Sequence, residues 1–322
     1  MILKPCTPKT EFNHQIFIKE YDYDHYLDRY YIYWDLNTVC NFRCSYCYAR
    51  HEYGKNWNKT DTIQRQILVL KALSLIKDPI FLGFHGGEPT LHNDFLYLID
   101  KSLEILTHQD SRLYIVTNGS TDVFEKIRFN PKIYVLFSIH LEFKHLYGDN
   151  FEKVINNIKL MDQRGFKVKV NILLMNDKKY WNDIHFLFNT LKSLNINIHP
   201  HFIYSLDKNQ EIIYNYTDEF YREFSELNDV KYHYVFENEK EHVLLSDYEL
   251  FKYNLNHFKG WKCYNNNFEI KYNGILHQIC SDEYIDLCKN PLYFKRYQLK
   301  PMICKFDNCM SDGVLKCLKV KS

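Results

Sequence analysis

The sequence predicts an α/β fold: a parallel sheet covered by helices and closed part of the way into a barrel, with a small cysteine-rich segment behind it. Two observations point to this. Short β-rich runs alternate with longer helical stretches between residues 30 and 205, and the runs are near-continuous in apolar residues, as buried parallel strands are. From Trp261 onward the periodicity fades, and six of the ten cysteines crowd into Cys263–Cys317.

Tyr30–Leu36 is the first strand, rich in aromatic and β-branched residues. Thr62–Ile76 follows as a helix whose apolar face is Ile63, Ile67, Leu70 and Leu73/Leu75. Ile80–Phe84 is a second strand and His92–Leu106 a second helix; Leu113–Thr117 is a third strand, stopped by the turn signal Asn118-Gly119. Ile133–Ile139 is a strand, and Phe151–Arg164 a helix closed by Gly165 at the C′ position. Val168–Leu174, a helix around Tyr180–Leu194, and Ile196–Tyr204 complete the series. About six β/α units predict a partial (β/α)6 TIM-like barrel rather than the closed eight-stranded form. The chain divides into an N-terminal extension at 1–29, the barrel at 30–205, a polar connecting region at 206–260, of which Leu206–Leu250 reads as a helical connection or an insertion, and a C-terminal domain at 261–322.

Of the 322 residues, 46% are hydrophobic and 25% charged, the composition of a soluble globular protein. The abundance of Tyr, Phe, Asn and Lys fits an AT-rich coding sequence. A net charge of +1 argues against nucleic acid or an anionic membrane as partner. Met1–Thr10 has no apolar core of a signal peptide, and no run approaches the roughly 20 apolar residues of a membrane span. A cytoplasmic location is the default expectation, and the cysteines then read as metal or redox chemistry rather than disulfides.

Cys40, Cys44 and Cys47 form a C-x3-C-x2-C run just after the first strand, on the side of a β/α barrel where catalytic groups collect. Three thiolates can bind three corners of a cubane iron–sulfur cluster and leave one iron open, whereas a saturated cluster takes four. Zinc is the alternative, with His51 near enough in sequence to be a fourth ligand. After the second strand comes Gly83-Phe84-His85-Gly86-Gly87-Glu88-Pro89-Thr90, with three glycines in five residues. Such density implies close backbone approach to a ligand, or a plain strand-to-helix turn.

The run Val39-Cys40 through Cys47-Tyr48, with Tyr46 just before its last cysteine, resembles the signature of the radical S-adenosylmethionine (SAM) superfamily. The resemblance implies a [4Fe-4S] cluster on Cys40, Cys44 and Cys47 whose open iron chelates SAM. One electron would then cleave SAM to methionine and a 5′-deoxyadenosyl radical. It also implies that Tyr46 lies against the adenine, and that Gly86, Gly87 and Glu88, matching the family's GGE motif, meet the SAM amino group. Asn118 in Thr117-Asn118-Gly119 stands where the family often has this motif, although a simple turn also explains it. Ser138 and His140 share one side of the fourth strand and would lie near the SAM ribose or carboxylate; a structural histidine is the alternative for His140. Asn171 would reach the ribose. Arg164 would answer the SAM carboxylate, or else is a solvated arginine at a helix end.

In the C-terminal segment, Cys263 and Cys280 are separated by 16 residues with Gly274 between them, and Cys304 and Cys309 form a C-x4-C pair. This order resembles the auxiliary-cluster extensions called SPASM and twitch domains, closest to the shorter twitch type. The gap from Gly274 to Cys280 is one residue longer than the SPASM pattern, and C-x4-C replaces its C-x2-C. The resemblance implies a second [4Fe-4S] cluster on Cys263, Cys280, Cys304 and Cys309. Cys288 and Cys317 are then spare, or replace one of these, or give a hydrogen atom to a product radical; structural zinc is the alternative for the whole group.

The implied function is hydrogen-atom abstraction from a polar small molecule, sugar- or aminoglycoside-like, ending in oxidation or epimerisation. Modification of a ribosomal peptide is the alternative, disfavoured by the roughly 30 residues before the first strand, too few for a leader-recognition module. A non-enzymatic iron–sulfur or zinc protein is the remote alternative. A reductant such as flavodoxin or ferredoxin is the implied protein partner, with no nucleic acid and no membrane.

Overall fold

The computed structural model describes residues 15–17, 29–47, 49, 58–203, 216–224, 233–238, 241–246, 256–298, 300–307, 309, 317 and 319–320. Cys6 and His51 lie outside the described residues. In chain order the first elements are β1 (Gln15–Phe17), β2 (Tyr30–Asn37), α1 (Ile63–Leu73), β3 (Ile80–Gly86), α2 (Phe95–Ile105), β4 (Arg112–Thr117), β5 (Ile133–Ile139), α3 (Glu152–Gln163), β6 (Lys167–Leu174), α4 (Trp181–Ser193) and β7 (Asn197–Phe202). Strands β2 to β7 lie side by side in sequence order, each parallel to the next. This is the open, parallel α/β sheet that the sequence predicts. The repeat is incomplete at one point, because the link from β4 to β5 carries only the 3-10 turn Val123–Lys126 in place of a helix.

Local chemistry fixes the helix ends. Thr62 caps α1 by accepting the Arg65 backbone N–H. Gly165, at φ +83°, ends α3: its N–H reaches Asp162 O (2.8 Å) and that of Phe166 reaches Met161 O (3.1 Å). That pair of bonds is a Schellman cap, which only a residue at ease with positive φ closes cheaply.

The two faces of the sheet differ. Ile32, Trp34, Leu82, Phe84, Leu113, Ile115, Val135, Phe137, Val170 and Ile172 are buried in the apolar core on one face. Alternate residues on the other face include Tyr33, His85, Tyr114, Ser138, Asn171 and His199. The strict burial alternation of β4 and β5 records this, and it gives the inner face polar groups that the near-continuous apolar strand pattern expected from the sequence did not foretell.

The later elements are α5 (Asp218–Glu223), β8 (His233–Asn238), β9 (Glu241–Ser246), β10 (Lys262–Cys263), β11 (Asn267–Ile270), β12 (Ile275–Gln278), β13 (Tyr284–Asp286), β14 (Met302–Ile303) and β15 (Lys319–Val320). Within Leu206–Leu250, expected to be a helical connection or an insertion, the described residues hold the short helix α5 and the antiparallel hairpin β8–β9. The reason is local: Tyr234-Val235-Phe236 and Val243-Leu244-Leu245 are strand-forming triplets set in an otherwise polar stretch. β11 adds to the barrel sheet parallel to β2, and β12 and β13 continue it antiparallel. A second sheet, in the order β14-β10-β15-β1-β8-β9, joins strands from the N-terminal, connecting and C-terminal segments.

Candidate active site

Cys40, Cys44 and Cys47 sit on the loop that leaves β2, at the ends of the parallel strands. Cys44 is buried and the other two are half-buried. Burial pushes the Cys40 thiol up to about 12, with the Phe42 N–H opposing and Glu88 and Cys47 adding to the rise. Burial raises Cys44 as well, reinforced by Cys47 and Cys40. The three thiols therefore lie within electrostatic range of one another, and Cys40 lies within range of Glu88. Among the described residues, no three His, Cys, Asp or Glu side chains converge tightly enough for a single metal ion.

Gly86 and Gly87 brace this loop. The Gly87 N–H donates to Asn37 O (3.0 Å) and the Glu88 N–H to Val39 O (2.7 Å), just ahead of Cys40. A Cβ at Gly86 would stand 2.1 Å from Asn37 O, and one at Gly87 2.1 Å from Val39 O. Gly86 also has φ +119°, which glycine alone adopts readily.

The Glu88 carboxylate is buried and held by four donors. Oε1 accepts from the Thr90 N–H (3.1 Å), the Thr90 hydroxyl and the Thr117 hydroxyl (2.7 Å), and Oε2 accepts from the Asn118 N–H (2.7 Å). Burial raises its pKa despite these bonds. Asn118 in turn donates from Nδ2 to Asn41 Oδ1 (2.9 Å) on the cysteine loop, and its Oδ1 accepts from Ser120 N (3.0 Å). Glu88 and Asn118 thus join the ends of β3 and β4 to the cysteine loop.

His140 and Tyr46 meet at the same place. Tyr46 Oη lies 2.9 Å and Cys44 Sγ 3.3 Å from His140 Nδ1, and the Tyr46 and His140 rings stack at 5.9 Å. Burial, aided by His201, lowers His140 to about 4, so the imidazole is neutral at pH 7. Arg164 is elsewhere: at the end of α3 its half-buried guanidinium donates to the carbonyls of Phe124, Glu125 and Ile127. Ser138, Asn171 and His199 form one row across β5, β6 and β7, and Asn171 Oδ1 is buried without a hydrogen-bond partner.

Several groups were not singled out from the sequence. Glu142 ties down the cysteine loop by accepting from the Ser45 N–H (2.8 Å) and hydroxyl (2.6 Å). Phe42 stacks on Phe143 at 4.6 Å. On the inner face, Glu269 Oε1 pairs with Lys271 Nζ at 2.7 Å, and Oε2 lies 3.4 Å from His277 Nδ1. Glu269 is level with Tyr33 across the sheet, and near enough to His85 to act on its charge. Burial opposes the Glu269 charge, but the His277 bond and Lys271 outweigh it and hold the carboxyl below its usual range. The local β11–β12 hairpin makes this group, by setting Glu269 opposite His277, and only the pairing of β11 with β2 brings it level with Tyr33.

In the C-terminal segment, Cys280 feels the charges of Cys309, Cys263 and Cys304, in that order after burial, which raises it to about 12. Its φ of +70° is a left-handed backbone that a non-glycine residue rarely keeps. Cys317 is buried beside Cys263, whereas Cys288 lies apart, 3.6 Å from Arg65 O on α1.

The open parallel sheet carries three thiols on the loop after its first barrel strand and a glycine-braced acid on the loop after the next. Residues 36–187 match the model of the Radical SAM superfamily, and this stretch of the chain is a radical SAM domain. The chain is similar to an S-adenosylmethionine-dependent nucleotide dehydratase of Fibrobacter sp. (strain UWH6), 33% identical over 27% of this chain and 26% of that one. It is also similar to a GTP 3′,8-cyclase of Actinobacillus succinogenes, 29% identical over 46% of each chain. The chain thus spans less than half the length of these two curated relatives. Its fold is similar to solved structures of anSMEcpe with bound AdoMet, one of which also holds the Cp18Cys peptide, with a TM-score of 0.53 at 17% identity, covering 82% of this chain and 80% of that one.

The superfamily uses a [4Fe-4S] cluster and SAM, and the residues present fit both. The cysteine loop is braced at its root by backbone that leaves no room for a Cβ, and its Cys44 thiol lies 3.3 Å from His140 Nδ1. The buried Asn171 Oδ1 is an acceptor that no protein donor satisfies.

Proposed function

We propose that the protein is a radical SAM oxidoreductase-type enzyme that takes a hydrogen atom from a polar small molecule, sugar- or aminoglycoside-like, and oxidises or epimerises it. Cys40, Cys44 and Cys47 would hold the cluster, which would supply the electron for reductive cleavage of bound SAM to the hydrogen-abstracting radical. Gly86, Gly87 and Glu88 keep the cysteine loop in register with the strand ends. Asn118, Ser138, His140 and Asn171 line the space where SAM would lie, with Tyr46 beside them. Neutral His140 places no second positive charge next to a sulfonium.

The observation that carries the substrate class is the Glu269–Lys271–His277 group on the inner face. Its charges are compensated within the group, yet it offers both donors and acceptors. Hydroxyl groups, which donate and accept, match that better than a bare cation or anion. The flanking rings of Tyr33 and His85, edge-to-face at 5.2 Å, supply apolar surface for C–H groups. Peptide modification is the second reading, supported by the peptide in the anSMEcpe complex.

The test is anaerobic. The reconstituted protein is given SAM and dithionite, with neutral sugars and cyclitols in one series and serine- and cysteine-containing peptides in another. We expect 5′-deoxyadenosine from the unaltered protein, more of it with the sugars, and none from a Cys40/Cys44/Cys47→Ala variant. Stimulation by peptides alone overturns the substrate class, and failure to cleave SAM overturns the activity.

A further inference from the structure

The chain as a whole carries a net charge of +1, yet between residues 287 and 306 it holds five Lys or Arg and no Asp or Glu. That run frames a groove of about 640 Å³ beside β13, lined by Lys289, Arg296 and Lys300, the rings of Tyr293 and Tyr297, and Ile285. Glu283 is the only acid among the described residues that line it. Among the described residues no carboxylate pairs with Arg296 or Lys300. Lys289 lies 3.7 Å from Asp286, but Asp286 also faces Arg65 at 3.7 Å and accepts the N–H groups of Cys288 (2.9 Å) and Lys289 (3.3 Å). The groove is a cationic rim over tyrosine rings.

β13 is also the edge of the nine-stranded sheet. The Leu287 N–H donates to Gly274 O at 3.1 Å, one step beyond the pair Ile275–Asp286. Hydrogen-bonded pairs alternate along an antiparallel ladder, so Ile285 bonds to Leu276 while the backbone groups of Tyr284 and Asp286 face away from β12. Asp286 O turns back onto the N–H groups of Lys289 (3.1 Å) and Asn290 (2.8 Å). The N–H and C=O of Tyr284 and the N–H of Asp286 are left pointing over the open edge.

We propose that this edge is a docking site for an acidic, extended segment of a separate protein, which adds a strand to β13 and lays its carboxylates against Lys289, Arg296 and Lys300. Its alternate apolar side chains cover Ile285 and the tyrosine rings. A peptide fits better than a nucleic acid, because only a peptide backbone can donate to and accept from Tyr284 in strand register. A second copy of this chain is the poorer occupant. Pairing β13 with itself about a two-fold axis would bring the same cations face to face. An acidic segment instead gives Arg296 and Lys300 the carboxylates that this chain does not supply.

The test uses the full-length protein and fluorescein-labelled octapeptides followed by anisotropy. A peptide alternating Glu and Val should bind, and the same peptide with Lys for Glu should not. One with Pro for Val, which cannot complete a ladder, should bind at least several-fold more weakly. Lys289→Glu, Arg296→Glu and Lys300→Glu, each with parental circular dichroism, should weaken the acidic peptide several-fold, as should salt in the parent. Hydrogen exchange at the Tyr284 amide should slow when the peptide is bound. Equal binding of the Pro peptide, or an unchanged Tyr284 amide, would reduce the site to a charged surface and overturn the proposal. Binding of a single-stranded oligonucleotide in place of the peptide would overturn it in favour of phosphate, and a dimer dissociated by the three substitutions would do so in favour of a second copy. No binding at all would also overturn it, leaving the cations as a guard against edge-to-edge aggregation.

Discussion

Glu88 Oε2 accepts the backbone N–H of Asn118 at 2.7 Å, so the acid after β3 fixes the turn after β4. With three further donors on Oε1, the carboxylate is a buried acceptor that an amide cannot replace. In Glu88→Gln one oxygen becomes an NH2 that points at a donor. We expect a loss of about 1–3 kcal/mol, the usual penalty for a buried group left unsatisfied. Urea unfolding of the apoprotein measures it, and a Gln variant as stable as the parent would mean that the acceptor is dispensable.

Gly87→Ala should act on the cluster rather than on the fold. Its Cβ would lie 2.1 Å from Val39 O, a backbone atom with no flexible end to give way, so the root of the cysteine loop must move. The sheet beneath is held by pairing along all of β2 and β3. We expect near-parental circular dichroism with at least a several-fold loss of reconstituted iron at the barrel cluster. Normal iron loading would show that the loop tolerates the displacement.

Much of the barrel was legible because its signals are local. The strand expected at Ile133–Ile139 has those bounds in the structure, and the helix expected at Phe151–Arg164 runs Glu152–Gln163 with its Gly165 cap. The cysteine loop and the GGE motif were likewise visible as short runs. What stayed hidden depends on partners far apart in sequence. Asn267 meets Tyr33 across 234 residues, and Cys44 meets His140 across 96. No periodicity within either segment encodes those meetings. The β8–β9 hairpin was missed because its polar setting outweighed two short strand-forming triplets.

Arg164 supplies a sharper check on what local reading cannot decide. It satisfies carbonyls of the Val123–Lys126 turn, Phe124 O at 2.7 Å and Glu125 O at 3.2 Å, together with Ile127 O just beyond it. The β4–β5 link, which lacks a helix, is pinned there. Arg164→Met should therefore lower stability by about 1–3 kcal/mol through lost charge-assisted bonds. The dissociation constant for SAM, measured by equilibrium dialysis on the reconstituted protein, should not change. A weakened SAM affinity at parental stability would return Arg164 to the site.

His85 gives the fold a pH dependence with a definite sign. Burial lowers its pKa to about 4, with Glu269 opposing, and its ring lies so close to Gly83 that a Cβ there would be 2.7 Å from Nε2. In the unfolded chain the same imidazole titrates near its ordinary value of about 6.5. Between about 6.5 and 4 the unfolded chain takes up a proton that the folded chain refuses, so stability falls as pH falls through that window and is unaffected above it. One such group contributes a slope of at most about 1.4 kcal/mol per pH unit. The urea midpoint of the apoprotein should thus drop between about pH 7 and pH 5, and His85→Gln should drop less. His140 is lowered for the same reason and supplies part of the slope that remains. Equal slopes in the parent and His85→Gln would mean that His85 protonates in place, with its ring open to water rather than packed against Gly83.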